Sequence, residues 1–187
     1  MDKQQRLLAS AHDLFLTKGF KSTSIADIAA DAEVAVGTFY NFYDSKTAIF
    51  LQVYTAENER VKAQIIAGLN LDNQPLAVVR KLVHEIISQS EDNLILQEWF
   101  TNQKLNALIA KDNQNAVEDS LVYTTFVKLI DNWQKRGLVA AGMTKERILD
   151  LFNALIVVDF HQSEINTTNY VQVLDDLITG MLKVILK

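Results

Sequence analysis

The chain has 187 residues, 49% of them hydrophobic and 22% charged, with a formal net charge of −5 at pH 7. That length supplies one or two domains with a core, and the negative balance excludes nucleic-acid binding through bulk charge, leaving only recognition by particular residues in particular places. With no cysteine there is no disulfide, thiolate metal site or cysteine nucleophile.

Asp2, Lys3 and Arg6 precede the first apolar run without a signal-peptide core. The most apolar stretch, Ile148 to Phe160, is too short for a membrane span and is interrupted by Asp150, Asn153 and Asp159. A cytoplasmic protein with no membrane insertion is expected. Six glycines, one proline and no alternating run of Val, Ile and Thr predict an all-α fold of about nine helices.

The first helix covers residues 3 to 18, with Leu7, Leu8, Ala11, Leu14 and Phe15 turned inward and Gly19 placed as its left-handed stop. Ser24 can cap a second helix whose Ile25, Ile28, Ala29 and Ala32 form one apolar stripe. Val34 is the peg of a tight corner, and a short helix from about Ala35 to Phe42 follows. In that helix Val36, Phe39, Tyr40 and Tyr43 are expected to share a side, with Gly37, Thr38 and Asn41 facing outward. Two short helices and a corner make a helix-turn-helix, whose second helix can enter a DNA major groove.

Asp44 or Ser45 caps a long fourth helix reaching Ala67 or Gly68. Ile49, Phe50, Val53 and Tyr54 pack at its start and Val61, Ile65 and Ile66 near its end, while Glu57, Asn58, Glu59 and Arg60 form a charged middle. A helix built this way joins two cores, so the domains are read as residues 1–47 and 48–187. Pro75 opens a fifth helix to about Ser90. A sixth carries Leu94, Leu96, Trp99, Phe100, Leu105, Leu108 and Ile109. After a polar break at Lys111 to Asn115, a seventh runs from about Ala116 to Arg136. The eighth, Thr144 to His161, and the ninth, Tyr170 to Leu186, carry more apolar surface than one stripe requires, as helices do when they pair with a second copy of themselves.

Phe15, Lys18-Gly19-Phe20, Thr23-Ser24-Ile25, Asp27-Ile28-Ala29, Gly37-Thr38-Phe39-Tyr40 and Ser45-Lys46 follow one another in the order and spacing of a known motif. Over residues 6 to 50 the chain resembles the N-terminal domain of the TetR family of bacterial transcriptional regulators. The resemblance implies a homodimeric DNA-binding regulator, most often a ligand-released repressor at a palindromic operator. It also implies an effector cavity among the middle helices and dimerisation through the last two long helices. Three residues depart from the pattern. Glu33 stands where the family has Gly, Ala35 where it has a capping Ser, and Thr47 where it has Glu. A non-glycine residue in a left-handed corner costs about 1 to 2 kcal/mol, and a lost cap about 0.5 to 2 kcal/mol.

The expected DNA contacts are Tyr40 and Lys46 to phosphate and Val36, Thr38 and Asn41 to base edges, with Ser24, Ala35 and Gly37 completing the set. For the effector cavity the candidates are the aromatic Trp99, Phe100, Tyr123 and Phe126 with the polar His84, Gln103 and Asn153. For the dimer interface they are Leu151, Leu155, Val158, Leu174, Leu177, Ile178 and Met181. His12, His84 and His161 share no metal-ligand spacing, and no phosphate loop, nucleophile elbow or catalytic triad pattern is visible. Neither an enzyme, a cofactor nor a metal is therefore expected. The alternative is a helical small-molecule binding or scaffold protein that has lost DNA contact.

Overall fold

The computed structural model describes residues 1–113 and 121–187, and those residues form ten α-helices and one short 3-10 helix. They divide into two compact units: Met1–Val61 with Ser88–Asp112, and Lys62–Ile87 with Asn113–Lys187. The long fourth helix thus has residues in both units, the change falling after Val61.

In the first unit, α1 (Lys3–Ser22) opens on a capping box in which the Asp2 carboxylate accepts from the Gln5 N–H at 2.8 Å and the Gln5 side chain accepts from the Asp2 N–H at 3.1 Å. Gly19 interrupts it at φ 77°, a left-handed value that glycine adopts without penalty. The chain then turns into α2 (Ile25–Asp31) and α3 (Val36–Tyr40). α4 (Lys46–Ala67) begins under Ser45, whose hydroxyl accepts from the Ala48 N–H at 3.1 Å. Leu7, Ala11, Phe15, Ile28, Phe39, Ile49 and Phe50 are fully enclosed. Phe50 meets Phe15 and Phe20 edge-on at ring separations of 5.2 and 4.8 Å, a favoured aromatic geometry. The Ser10 hydroxyl, buried among these, donates to the Ile28 carbonyl at 3.1 Å and fixes α2 on α1.

The expected sixth helix is two helices. α6 (Glu98–Thr101) and α7 (Gln103–Asn113) are separated at Asn102, whose side chain donates to Glu98 Oε2 at 2.7 Å and accepts from the Leu105 N–H at 3.3 Å. That local capping breaks the apolar period. α7 runs through Lys111, where a break was expected, and the expected start of the next helix at Ala116 lies outside the described residues.

In the second unit, α5 (Pro75–Asp92), α8 (Leu121–Lys135), α9 (Lys145–Phe160) and α10 (Tyr170–Ile185) bury Val79, Leu82, Phe126, Trp133, Ile148, Phe152, Ile178 and Ile185. α5 ends inside the first unit. Thr144 caps α9 by accepting from the Arg147 N–H. Arg80 on α5 donates to Asp175 and Thr179 on α10 at 2.7 and 2.9 Å. An antiparallel bridge joins Val139 to Leu186, flanked by Ala140 N–H to Ile185 O at 2.9 Å and Lys187 N–H to Leu138 O at 3.0 Å.

Candidate nucleic-acid interface

Ser24 is an N-cap rather than a free hydroxyl. Its Oγ accepts from the Asp27 N–H at 3.1 Å and donates to Asp27 Oδ2 at 2.6 Å, and the same carboxylate takes the Ser24 N–H at 2.8 Å. These bonds favour the charged form and hold the Asp27 carboxyl below its usual range. α2 ends at a corner closed by Val34 N–H to Ala29 O at 2.9 Å. Glu33 sits there at φ 52°, in the left-handed conformation that its Cβ disfavours. Arg6 reaches its carboxylate at 3.7 Å.

α3 then starts at Ala35 with no side-chain cap. Its inner face is Phe39, fully buried, with Tyr43 beyond it. Val36 and Tyr40, expected to share that inner side, are instead 43% and 54% exposed, because a five-residue helix anchored by Phe39 alone turns both neighbours outward. Ala35, Gly37 and Asn41 are exposed too, and Thr38 is half-buried. The outward face of α3 is therefore a methyl-bearing residue, a bare backbone at Gly37, a phenol and an amide, with no cation between Val36 and Tyr40.

Lys46 has a different setting from the one expected. Its Nζ donates to the carbonyls of Phe20 and Thr23, both at 2.7 Å, and lies 4.3 Å from the centroid of the Phe20 ring. Burial lowers its pKa from the usual lysine value. The ammonium closes the carbonyls that α1 leaves open past Gly19, and its bonds are directed inward.

Sequence reasoning missed Glu57. It stood in the charged middle of α4, yet it is 1% exposed. Arg60 holds it with two bonds at 2.7 Å, Asn93 Nδ2 donates to it at 2.6 Å and His12 Nε2 lies 3.2 Å from Oε2. Arg60 above all, then Asn93 and His12, favour the carboxylate over the desolvation that opposes it, and pull its pKa down to about 2. Only the Arg60 pair at i+3 is visible locally.

The effector candidates divide between the units. Trp99 (buried), Phe100 (41% exposed) and Gln103 (exposed) belong to the first. His84, Tyr123, Phe126 and Asn153 belong to the second. There His84 lies 3.6 Å from Asp175, Tyr123 is half-buried and Phe126 stacks on Phe152 at 4.0 Å. Asn153 Oδ1 and the indole N–H of the neighbouring cluster's Trp133 are buried without a partner among the described residues. Of the dimer candidates, Leu174 and Ile178 are 4% and 0% exposed and belong to the second unit's own core. They lie on the inner stripe of α10, four residues apart. Leu177 is 43% exposed, and Leu151, Leu155, Val158 and Met181 are half-buried. Val157, Val171 and Val184, outside the expected dimer set, are also exposed on α9 and α10.

Among the described residues, no helix is long and apolar enough to cross a membrane, and no group of three His, Asp or Glu could hold a metal ion.

A capped helix, a tight corner and a second helix with an exposed outer face, pinned to a buttressing first helix, define a helix-turn-helix DNA-binding domain of a transcriptional regulator. Residues 7–53 match the family described as "Bacterial regulatory proteins, tetR family". UidR of Escherichia coli K12, an HTH-type transcriptional regulator, is 24% identical over 186 residues, covering 95% of this chain and 91% of that protein. YuxN of Bacillus subtilis, an uncharacterised HTH-type regulator, is 26% identical over 99 residues, which are 51% of this chain but only 34% of YuxN. Among solved structures, RolR in complex with resorcinol has a similar fold, with a TM-score of 0.63 at 16% identity over 98% of this chain and 87% of that one. Residues 7–53 are thus a DNA-binding domain of the TetR type, and the chain as a whole is similar to DNA-binding transcriptional regulators of that family.

Proposed function

We propose that the chain is a homodimeric repressor released from a palindromic operator by a small-molecule effector. The observation that carries the reading is the outward face of α3, where Val36, Gly37, Tyr40 and Asn41 stand exposed beside a buried Phe39. Val36 can meet a thymine methyl, Asn41 can read adenine through a bidentate pair, and Tyr40 and Thr38 can reach phosphate. Lys46 already uses two of its three N–H donors on the Phe20 and Thr23 carbonyls, which leaves one for phosphate. Two such helices would enter grooves about 34 to 36 Å apart, or a multiple of that.

Dimerisation is supported by Leu177, Gly180 and Val184, which share an exposed face of α10, and by Val157 on α9. The effector reading is supported by the second unit, where the Trp133 N–H, beside the stacked Phe126 and Phe152 rings, and the Asn153 carbonyl are buried without partners among the described residues. An effector acts only through differential affinity, so DNA must weaken its binding by the factor by which it weakens DNA binding.

The test is selection of genomic fragments by purified protein, then titration of the best fragment over a range of salt. A palindrome bound by two subunits, with log affinity linear in log salt, is expected. A dimer that enriches no fragment, with or without cell metabolites, would sink the reading. The uncapped start of α3 and the strained Glu33 favour a second reading, a helical binding protein that no longer reads DNA. Tyr40→Ala separates the two: it lowers DNA affinity under the first and leaves only stability to change under the second.

A further inference from the structure

Two helices pass between the compact units. α4 leaves the first unit after Val61, and α5 enters it at Ser88. About one turn inside that unit, α4 and the residue just past the end of α5 are joined by a buried contact, the 2.6 Å bond from Asn93 Nδ2 to Glu57 Oε1. Both residues are buried, at 9% and 1% exposure. Each also reaches further into the unit. The other carboxylate oxygen of Glu57 meets His12 of α1 at 3.2 Å, and Asn93 Oδ1 accepts from the Ile95 and Leu96 N–H groups at 3.0 and 3.2 Å, shaping the turn that leads to α6.

A buried carboxylate is an expensive way to fill a core, and an apolar residue of similar size would often serve stability as well or better. What an ion in a complete shell adds is a single permitted arrangement of the helices that supply the shell. Here those are α1, which buttresses the helix-turn-helix, and the two helices that continue into the second unit. We propose that the Glu57–Asn93 bond is the coupling joint of the regulator, the point at which a change in α4 or α5 outside the first unit is passed to α1 and the reading head. The proposal rests on the effector-controlled reading above. Glu57 and Asn93 are positioning residues that touch no DNA.

Asn93→Asp sets two carboxylates against each other. Asn93→Ser is the milder variant, since a serine hydroxyl can keep the turn but is too short to reach Glu57. Combining Glu57→Gln with Asn93→Asp returns a bond with donor and acceptor exchanged. Hydrogen–deuterium exchange on the full chain, at a temperature where circular dichroism shows every variant folded, reads the joint directly. Both single variants are expected to speed exchange about tenfold not only in residues 88–98 but also in residues 7–31. The exchanged pair should restore protection in both segments. Acceleration confined to 88–98, or an exchanged pair that behaves like Asn93→Asp alone, would overturn the joint.

DNA affinity for the selected genomic fragment is the second readout, expected to fall about tenfold in the single variants and to recover in the pair. Folded single variants that bind as tightly as the wild type would also overturn it. If the wild-type protein enriches no fragment, the functional reading fails, and the exchange experiment still decides the joint.

Discussion

At the scale of single residues, two departures from the family pattern have measurable costs. Glu33 holds a left-handed φ of 52°, so Glu33→Gly should raise the unfolding free energy by about 1 kcal/mol, the gain in strain outweighing the flexibility of glycine and an exposed pair to Arg6. Urea titration checks it through a higher midpoint at unchanged slope. Ala35→Ser should add about 0.5 to 2 kcal/mol by restoring a cap to α3. Both positions were legible because they stand out against neighbours that do match. Glu57 was not, since its partners His12 and Asn93 lie 45 and 36 positions away, and no local pattern says that a charged helix middle will be enclosed. Its depressed pKa has a definite sign. The stabilisation is fully present above about pH 4.5 and is lost as pH falls toward about 2, an amount near 3 kcal/mol at most by linkage. Measured between pH 6 and 2, wild-type stability should fall more steeply than that of Glu57→Gln, and parallel curves would contradict the assignment.

At the scale of elements, Lys46 links the start of α4 to the open carbonyls beyond Gly19. Lys46→Met keeps the stem but strands two acceptors, and about 2 to 3 kcal/mol of stability should be lost. If the ammonium stays on those carbonyls in the complex, the salt slope of DNA binding is unchanged in this variant. A lysine on phosphate would reduce the slope by about 0.9. Helices with a side-chain cap at Ser45 and Thr144, or with Pro75 as first residue, begin where the sequence places them, because these are local chemical signals. α6 and α7 were read as one helix because their apolar residues keep a common period across Asn102, while the break comes from that residue's side-chain bonds. The face of α3 was misassigned for a different reason: five residues are too few for periodicity to fix a phase, and only Phe39 inside the core fixes it.

At the scale of the whole molecule, the surplus of apolar surface on α9 and α10 was legible, but its division was not. α10 carries two stripes, an inner one through Leu174, Ile178, Leu182 and Ile185 and an outer one through Leu177, Gly180 and Val184. A count of apolar residues cannot tell which stripe serves the subunit and which is left for a partner. Under the proposed dimer, replacing Leu177 and Val184 together with Lys should therefore yield folded monomers in sedimentation velocity and weaken operator binding, since each half-site would then be bound singly. The same double change at Leu174 and Ile178 should unfold the second unit instead. The enclosed carboxylate of Glu57 has one more consequence, in the response to heat. Hydration of ions becomes less favourable on warming while apolar stabilisation levels off, so the penalty for enclosing the Glu57 carboxylate shrinks as temperature rises. Relative to the aromatic core around Phe50, the bonds of Glu57 to His12 and Asn93 should strengthen as the protein warms, keeping the segments they join in register close to the melting point.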